Sequence, residues 1–135
     1  MNWVWTSSLV VVLDQVTKYI ANYNLNLRVP VEVFPGLNMT LYYNRGAAFS
    51  ILSNAGGWQR WFLMVLSFVF SVVIIYYLRN IDSSRRCLAW GLALILGGAI
   101  GNLIDRSIYG HVIDFIDVYY TNWHWPAFNI ADSAI

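Results

Sequence analysis

The chain has only seven acidic residues among 135, set against eight basic ones and two histidines. In so apolar a sequence each acid is informative, because a carboxylate near hydrocarbon is costly unless it is paired or faces a polar cavity. Two carboxylates held close together cannot both ionise cheaply. One keeps its proton while the other becomes a base able to activate water. Such a pair hydrolyses amides: the base takes a proton from the attacking water and the protonated partner donates to the scissile carbonyl, without a metal or a covalent intermediate. The candidates are Asp14, Asp105, Asp114 and Asp132, and the residues alone leave open which two pair.

Rival chemistries have less to work with. His111, His124 and Cys87 make a poor metal set, since a zinc or iron peptidase needs a tighter cluster such as two histidines on one helical turn. No metal and no cofactor is expected. Lys18 as the base for a serine nucleophile finds no serine in a compelling position. The single cysteine excludes an intrachain disulfide.

The elements that carry these residues belong in a membrane. Hydrophobic residues make up 59% of the chain and charged ones 11%, with a mean hydropathy of +0.53, whereas a soluble domain carries about 25% charged residues. Seven Trp and nine Tyr suit the lipid–water interface. A net charge of +1 with no basic stripe excludes nucleic acid as a partner. A spanning helix needs about 20 mostly apolar residues, and three segments qualify. They run from Trp3 to Ala21, from Trp58 to Leu78 and from Cys87 to Ile104, the last with Gly91, Gly97, Gly98 and Gly101 allowing close helix approach. The first lacks a cationic start and a small-residue cleavage site, so it is read as a retained helix. A fourth apolar segment begins near Pro126, but its roughly nine residues cover only about 14 Å at 1.5 Å each, so the last helix is expected to be incomplete. Between the first two spans, VEVFPG and LNMTLYYN alternate around Pro35-Gly36, bounded by Pro30 and Gly56-Gly57, and predict a small sheet.

Arg79, Arg85 and Arg86 cluster beside Asp82 between the second and third spans and mark that side as cytoplasmic. Arg28, Arg45 and Arg106 lie on the other side, so the bias is one of density. Residues 22 to 57 and 105 to 125 then face outward. Asp14 sits seven residues before Ala21, roughly 10 Å below the outer end of its helix, and Asp132 roughly 9 Å down a segment descending from the outer surface. Asp105 is placed at the outer end of the third span and Asp114 on the loop feeding the fourth. The four acids fall in one slab near the outer interface, and one shared site explains them.

These residues resemble a known family. LDQVTK at 13 to 18, NRGAAFS at 44 to 50, GGAIGNLIDR at 97 to 106, HVIDF at 111 to 115 and FNIADSAI at 128 to 135 occur in the order and spacing of lipoprotein signal peptidase, also called signal peptidase II. The resemblance implies that Asp114 and Asp132 form the catalytic pair. It implies that Asp14, Lys18, Asn44, Gly46, Asn102, Asp105, Arg106, Asn129 and Ala131 shape the site or bind substrate. The substrate it implies is a prolipoprotein already carrying diacylglycerol on the cysteine after the scissile bond, cleaved in the bacterial inner membrane close to its outer face. Membrane lipids and the cyclic peptide inhibitor globomycin are the other implied partners. The implied architecture is an all-α, four-transmembrane-helix bundle, its fourth helix truncated in this sequence. A small extracytoplasmic β-cradle from the first outer loop, 22 to 57, sits within a single domain of residues 1 to 135, and a short helix lies at the interface.

Plainer readings stand beside these. Asp14 and Lys18, four apart with the acid first, form a favourable intrahelical pair whatever else they do. Asp105 and Arg106 fit an interfacial acid and a snorkelling base. Asn44 and Asn102 fit residues that satisfy loop backbone. Asp117, three residues after Asp114, is read as a solvated loop acid, and Glu32 and Asp82 as ordinary loop charges. The aromatics of WHWPAF mark the interface. The competing function is a small transporter or proton-conducting subunit, which would space ionisable groups across the whole membrane thickness. The inner half of each span here lacks them.

Overall fold

The computed structural model describes residues 3–46, 54 and 56–135. Its elements are α1 (Trp3–Asn24), β1 (Val31–Phe34), β2 (Leu37–Asn44), α2 (Trp58–Asn80), α3 (Arg86–Tyr109), β3 (Val112–Tyr120), β4 (Trp123–His124) and α4 (Ile130–Ala134). The chain is mostly helical, with one small antiparallel sheet.

Helices α2 and α3 are each long and apolar enough to cross a membrane. Helix α2 turns Phe62, Val65, Phe68, Val69 and Val73 away from the protein. In water such a run would have to be buried, whereas lipid tails accept it. Its inner face meets α3, where Ile74, Leu78, Ala89 and Leu96 form the apolar core. Helix α1 buries Ser7, Val10, Asp14, Lys18 and Ala21, which recur every three or four residues and so form one stripe. That stripe faces α3, and the Ser7 hydroxyl donates to the Ala93 carbonyl at 2.8 Å.

Helix α3 continues past Ile104 to Tyr109, because nothing in LIDRSIY breaks a helix. Gly110, at φ 77°, stops it by donating its N–H to the Arg106 carbonyl at 3.2 Å. Asp105 and Arg106 are therefore inside the helix, about a turn before its end, and not at its outer tip as the sequence reading placed them.

The sheet runs β1-β2-β3-β4, so it draws on both connecting segments and not on the first alone. Gly36 takes the positive φ of 98° that the expected turn requires. Asp114 lies on strand β3 opposite Tyr42, which corrects its placement on a loop, and Asp117 is buried at 3% exposure, which corrects its reading as a solvated acid. VIDFIDVYY is rich in β-branched and aromatic residues. Its two acids masked a strand signal that was present. Between Met39 and Tyr42, β2 carries one residue more than its partner, a bulge beside Asp114. After β4 the chain returns along β3, with Phe128 and Ile116 exchanging backbone bonds of 3.1 and 2.9 Å, and this delivers Asn129 next to Asp114.

Candidate active site

The position of Asp132 follows from helix-start chemistry. Asn129 caps α4: its side-chain oxygen accepts the Asp132 N–H at 2.9 Å, and the Asp132 carboxylate accepts the Asn129 N–H at 3.2 Å. This reciprocal box satisfies two backbone donors and fixes the carboxylate. The Asn102 amide donates to the other carboxylate oxygen at 2.8 Å. Asp132 remains exposed toward the cavity.

Asp114 is held from strand β3. The Asn129 amide donates to it at 2.8 Å, and Asn44 also hydrogen-bonds its carboxyl group. Asn129 thus touches both acids, Asp114 through its side chain and Asp132 through its backbone. Burial, with the Asp132 charge as the second cause, pushes the Asp114 carboxyl up to about 7, although Asn44, Asn129 and Lys18 act in the other direction.

Behind this pair lies an ionic hub. The Lys18 ammonium meets Asp14 at 2.8 Å, Asp105 at 2.9 Å and the Asn102 oxygen at 3.0 Å, so each of its three protons has an acceptor. Each hub acid also grips the backbone immediately before a cavity acid. Asp14 accepts the Ala131 N–H at 2.9 Å, and Asp105 accepts the Ile113 N–H at 3.0 Å. Close approach makes this possible: a Cβ on Gly101 would stand 2.5 Å from the Asp14 carboxylate, and one on Gly98 would collide with the Ala131 carbonyl.

The two acids open on one cavity of about 1300 Å³. Asn44, Asn102 and Arg106 contribute polar wall, while Leu63, Leu66, Phe70 and Ile95 contribute apolar wall from α2 and α3. Arg106 donates to the Gly46 carbonyl at 2.9 Å, and its buried Nε–H has no partner among the described residues. Gly46 in turn donates its N–H to Asn44 at 2.9 Å. Two acids of unlike burial, each bonded by Asn129 at a polar cavity wall, are the arrangement in which one carboxyl keeps its proton while the other serves as a base.

The family model described as Signal peptidase (SPase) II matches residues 6–135. This chain belongs to the signal peptidase II family. It is 50% identical over 135 residues to the lipoprotein signal peptidase of Alteromonas mediterranea, covering all of this chain and 74% of that one. Over 133 residues it is 55% identical to the lipoprotein signal peptidase of Acinetobacter baumannii, covering 98% of this chain and 76% of that one. A bacterial membrane enzyme solved by the in meso method at 2.3 Å superposes with a TM-score of 0.85 at 34% identity, covering 98% of this chain and 79% of that one. As a signal peptidase II the chain is an aspartic peptidase, and the transporter reading falls away.

Of the eleven residues singled out from the sequence of this signal peptidase II, Asn44, Asn102, Arg106, Asp114 and Asp132 line the cavity, Asp14, Lys18 and Asp105 form the hub, and Gly46, Asn129 and Ala131 hydrogen-bond to one or another of these. The Ala47–Ser50 part of the NRGAAFS motif lies outside the described residues. Sequence reasoning missed Gln15, whose amide reaches Asp105 at 2.9 Å and the Gly101 carbonyl at 3.2 Å. Its place beside Asp14 in LDQVTK was the available signal. It also missed Arg60, which donates to the Arg106 and Ser107 carbonyls at 2.9 and 3.0 Å and so satisfies the end of α3; nothing in the local pattern marked it.

Proposed function

We propose that this chain cleaves signal peptides from prolipoproteins already carrying diacylglycerol on the cysteine after the scissile bond, using Asp114 and Asp132 on a water molecule. The observation that carries this reading is that Asn129 binds both carboxylates at the edge of one cavity. In this mechanism Asp132, open to the cavity and accepting as an anion from Asn102 and Asn129, takes a proton from water. Asp114, the more deeply buried, holds the other proton and gives it to the carbonyl oxygen as water attacks. The resulting tetrahedral centre collapses with protonation of the leaving nitrogen, which frees the amino group of the lipidated cysteine, and the pair returns to sharing one proton.

The remaining sequence expectations fit this chemistry. Arg106, Asn44 and Gly46 bind the peptide, Arg106 and Asn44 standing in the cavity wall. Asp14, Lys18, Asn102, Asp105, Asn129 and Ala131 position the two acids. The whole chain is one peptidase domain in the bacterial inner membrane, with α1 to α4 as the helices of a four-helix bundle. The sheet and the 22 to 57 loop face outward, and the arginines between α2 and α3 face the cytoplasm. A lipid-anchored substrate keeps its scissile bond near the headgroups, and the apolar wall of Leu63, Leu66 and Phe70 suits acyl chains arriving laterally. A globomycin-type cyclic peptide would occupy the same cavity.

The test uses purified protein with lipidated and unlipidated precursor, with and without globomycin. Asp114→Asn and Asp132→Asn should each lower kcat by about 10²–10⁴-fold while leaving membrane insertion intact. Normal turnover by either variant, or equal cleavage of unlipidated precursor, refutes the reading.

A further inference from the structure

The cavity wall carries a third acid, beyond Asp114 and Asp132, that the peptidase chemistry leaves unused. Asp117 is 3% exposed, and both of its oxygens are engaged: Thr40 on β2 donates its hydroxyl at 3.0 Å, and His124 on β4 approaches through Nδ1 at 2.7 Å. The acid lies inward and the imidazole outward, since the His124 side chain is 50% exposed. The ring is also stacked on Tyr119, with centroids 5.3 Å apart and planes 22° from parallel. Asp117 and His124 both line the cavity that holds Asp114 and Asp132.

This arrangement dictates which nitrogen is available. A carboxylate accepts only, so Nδ1 must carry a proton and point it at Asp117. With Nδ1 turned to the buried acid, Nε2 lies on the open side of the ring, and in the neutral imidazole it is a bare acceptor. The pair is not needed to close its hairpin. Tyr119 and Tyr120 already pair with β4, the Trp125 N–H reaches the Val118 carbonyl at 2.8 Å, and Phe128 is bonded to Ile116. A buried acid, a hydroxyl and a stacked ring together hold one acceptor at a fixed place on the cavity wall.

We propose that His124 is a substrate-binding residue whose Nε2 accepts a hydrogen bond from a backbone N–H of the bound polypeptide, with Asp117 and Thr40 as positioning residues. The inference rests on the cavity being the substrate site. The Asp114–Asp132 pair does the chemistry, and His124 fixes the register of the extended peptide as it approaches that pair. Unpaired N–H groups are what an extended peptide has to offer such an acceptor.

The asparagine and glutamine variants separate substrate binding from scaffolding. His124→Asn keeps a donor where Nδ1 stands and removes Nε2, whereas His124→Gln places its amide where Nε2 stands. With purified full chain and lipidated precursor, His124→Asn should raise KM roughly 3- to 10-fold, the worth of one hydrogen bond, with kcat within about twofold of wild type. His124→Gln should recover most of that loss. Removing a hydrogen bond that is equally strong in the ground and transition states raises KM and leaves kcat alone. Wild-type KM in His124→Asn overturns the proposal, as does a loss confined to kcat that glutamine does not restore.

A second measurement avoids any folding defect in these variants. In the Asp114→Asn protein, carbethoxylation of His124 read by mass spectrometry should slow at least about fivefold when lipidated precursor is saturating, with His111 as internal reference. Equal rates with and without precursor overturn the proposal. The two readings fail separately: turnover by Asp114→Asn refutes the catalytic pair, while wild-type KM in His124→Asn refutes only the role of His124.

Discussion

Asp14 accepts the backbone N–H of Ala131 at 2.9 Å, across 117 residues of sequence. The acid nearest the start of the chain thus holds the residue beside Asp132, and Asp105 does the same for the residue beside Asp114. Neither hub acid needs to touch substrate in order to matter to turnover.

Asp14→Ala is expected to leave Lys18 with one carboxylate and the Ala131 N–H with none. Breaking a buried ion pair from one side costs about 3–5 kcal/mol. The variant should melt well below wild type and lose kcat in parallel, which thermal unfolding in detergent and a cleavage assay measure together. An Asp14→Ala protein of normal Tm and full turnover would remove the hub from the account.

The glycine stripe gives a contrast within one helix. Gly98→Ala drives a methyl group into the Ala131 carbonyl, and Gly101→Ala drives one against Asp14, whereas a methyl group at Gly91 meets nothing within 4 Å. The first two substitutions should destabilise by about 1–3 kcal/mol and suppress cleavage as α4 is pushed off α3. Gly91→Ala should be silent in both stability and cleavage, and the three compared side by side check the close approach directly.

In the proposed mechanism turnover should fall as pH rises through about 7, because Asp114 then loses the proton assigned to it there. The apparent value belongs to the pair, not to either acid alone. A pH–rate profile of kcat with an alkaline limb near 7 is the expected outcome, and a flat profile to pH 9 contradicts it.

The same shift makes stability, like turnover, fall as pH rises. The folded value of Asp114 lies above its ordinary 3.8, so the folded state holds this proton more tightly than the unfolded chain does. Stability therefore falls as pH rises from about 4 to about 7, and above that the full penalty for the buried anion applies. Asp114→Asn lacks this penalty. Its Tm should match wild type near pH 4 and exceed it near pH 8, even though it does not cleave.

Asn129→Ala removes the cap of α4 and the hydrogen bonds of that side chain with the acid pair. Loss of such a cap costs about 1 kcal/mol, and kcat should fall by at least tenfold because Asp114 loses its Asn129 donor and the turn carrying Asp132 loses its cap. Asn129→Ser restores the cap but not the reach to Asp114, so stability should return without activity. Recovery of both by serine would show that capping alone matters.

Much of this was legible in the sequence for physical reasons. Helices α2 and α3 announced themselves because lipid tolerates long uninterrupted apolar runs. The acids were conspicuous because they are few and cannot be left unpaired near hydrocarbon. Strand β3 was hidden because Asp114 and Asp117 interrupt its apolar pattern, and both are buried by partners distant in sequence, such as Asn129 and Thr40. The extra residue in β2 and the grip of Arg60 on the end of α3 depend on tertiary packing that no local window contains. Asp117 misled for the same reason, since its neighbours His124 and Thr40 are brought to it only by the sheet.

The hub also sets an order of assembly. Asp14, Lys18 and Asp105 can neutralise one another as soon as α1 and α3 have met, but the Ala131 N–H and the Asn129 cap lie further along the chain and are made after them. A growing chain therefore carries its acids safely partnered yet has no way to cut. For a membrane peptidase, that delay keeps it inert until α4 has been made.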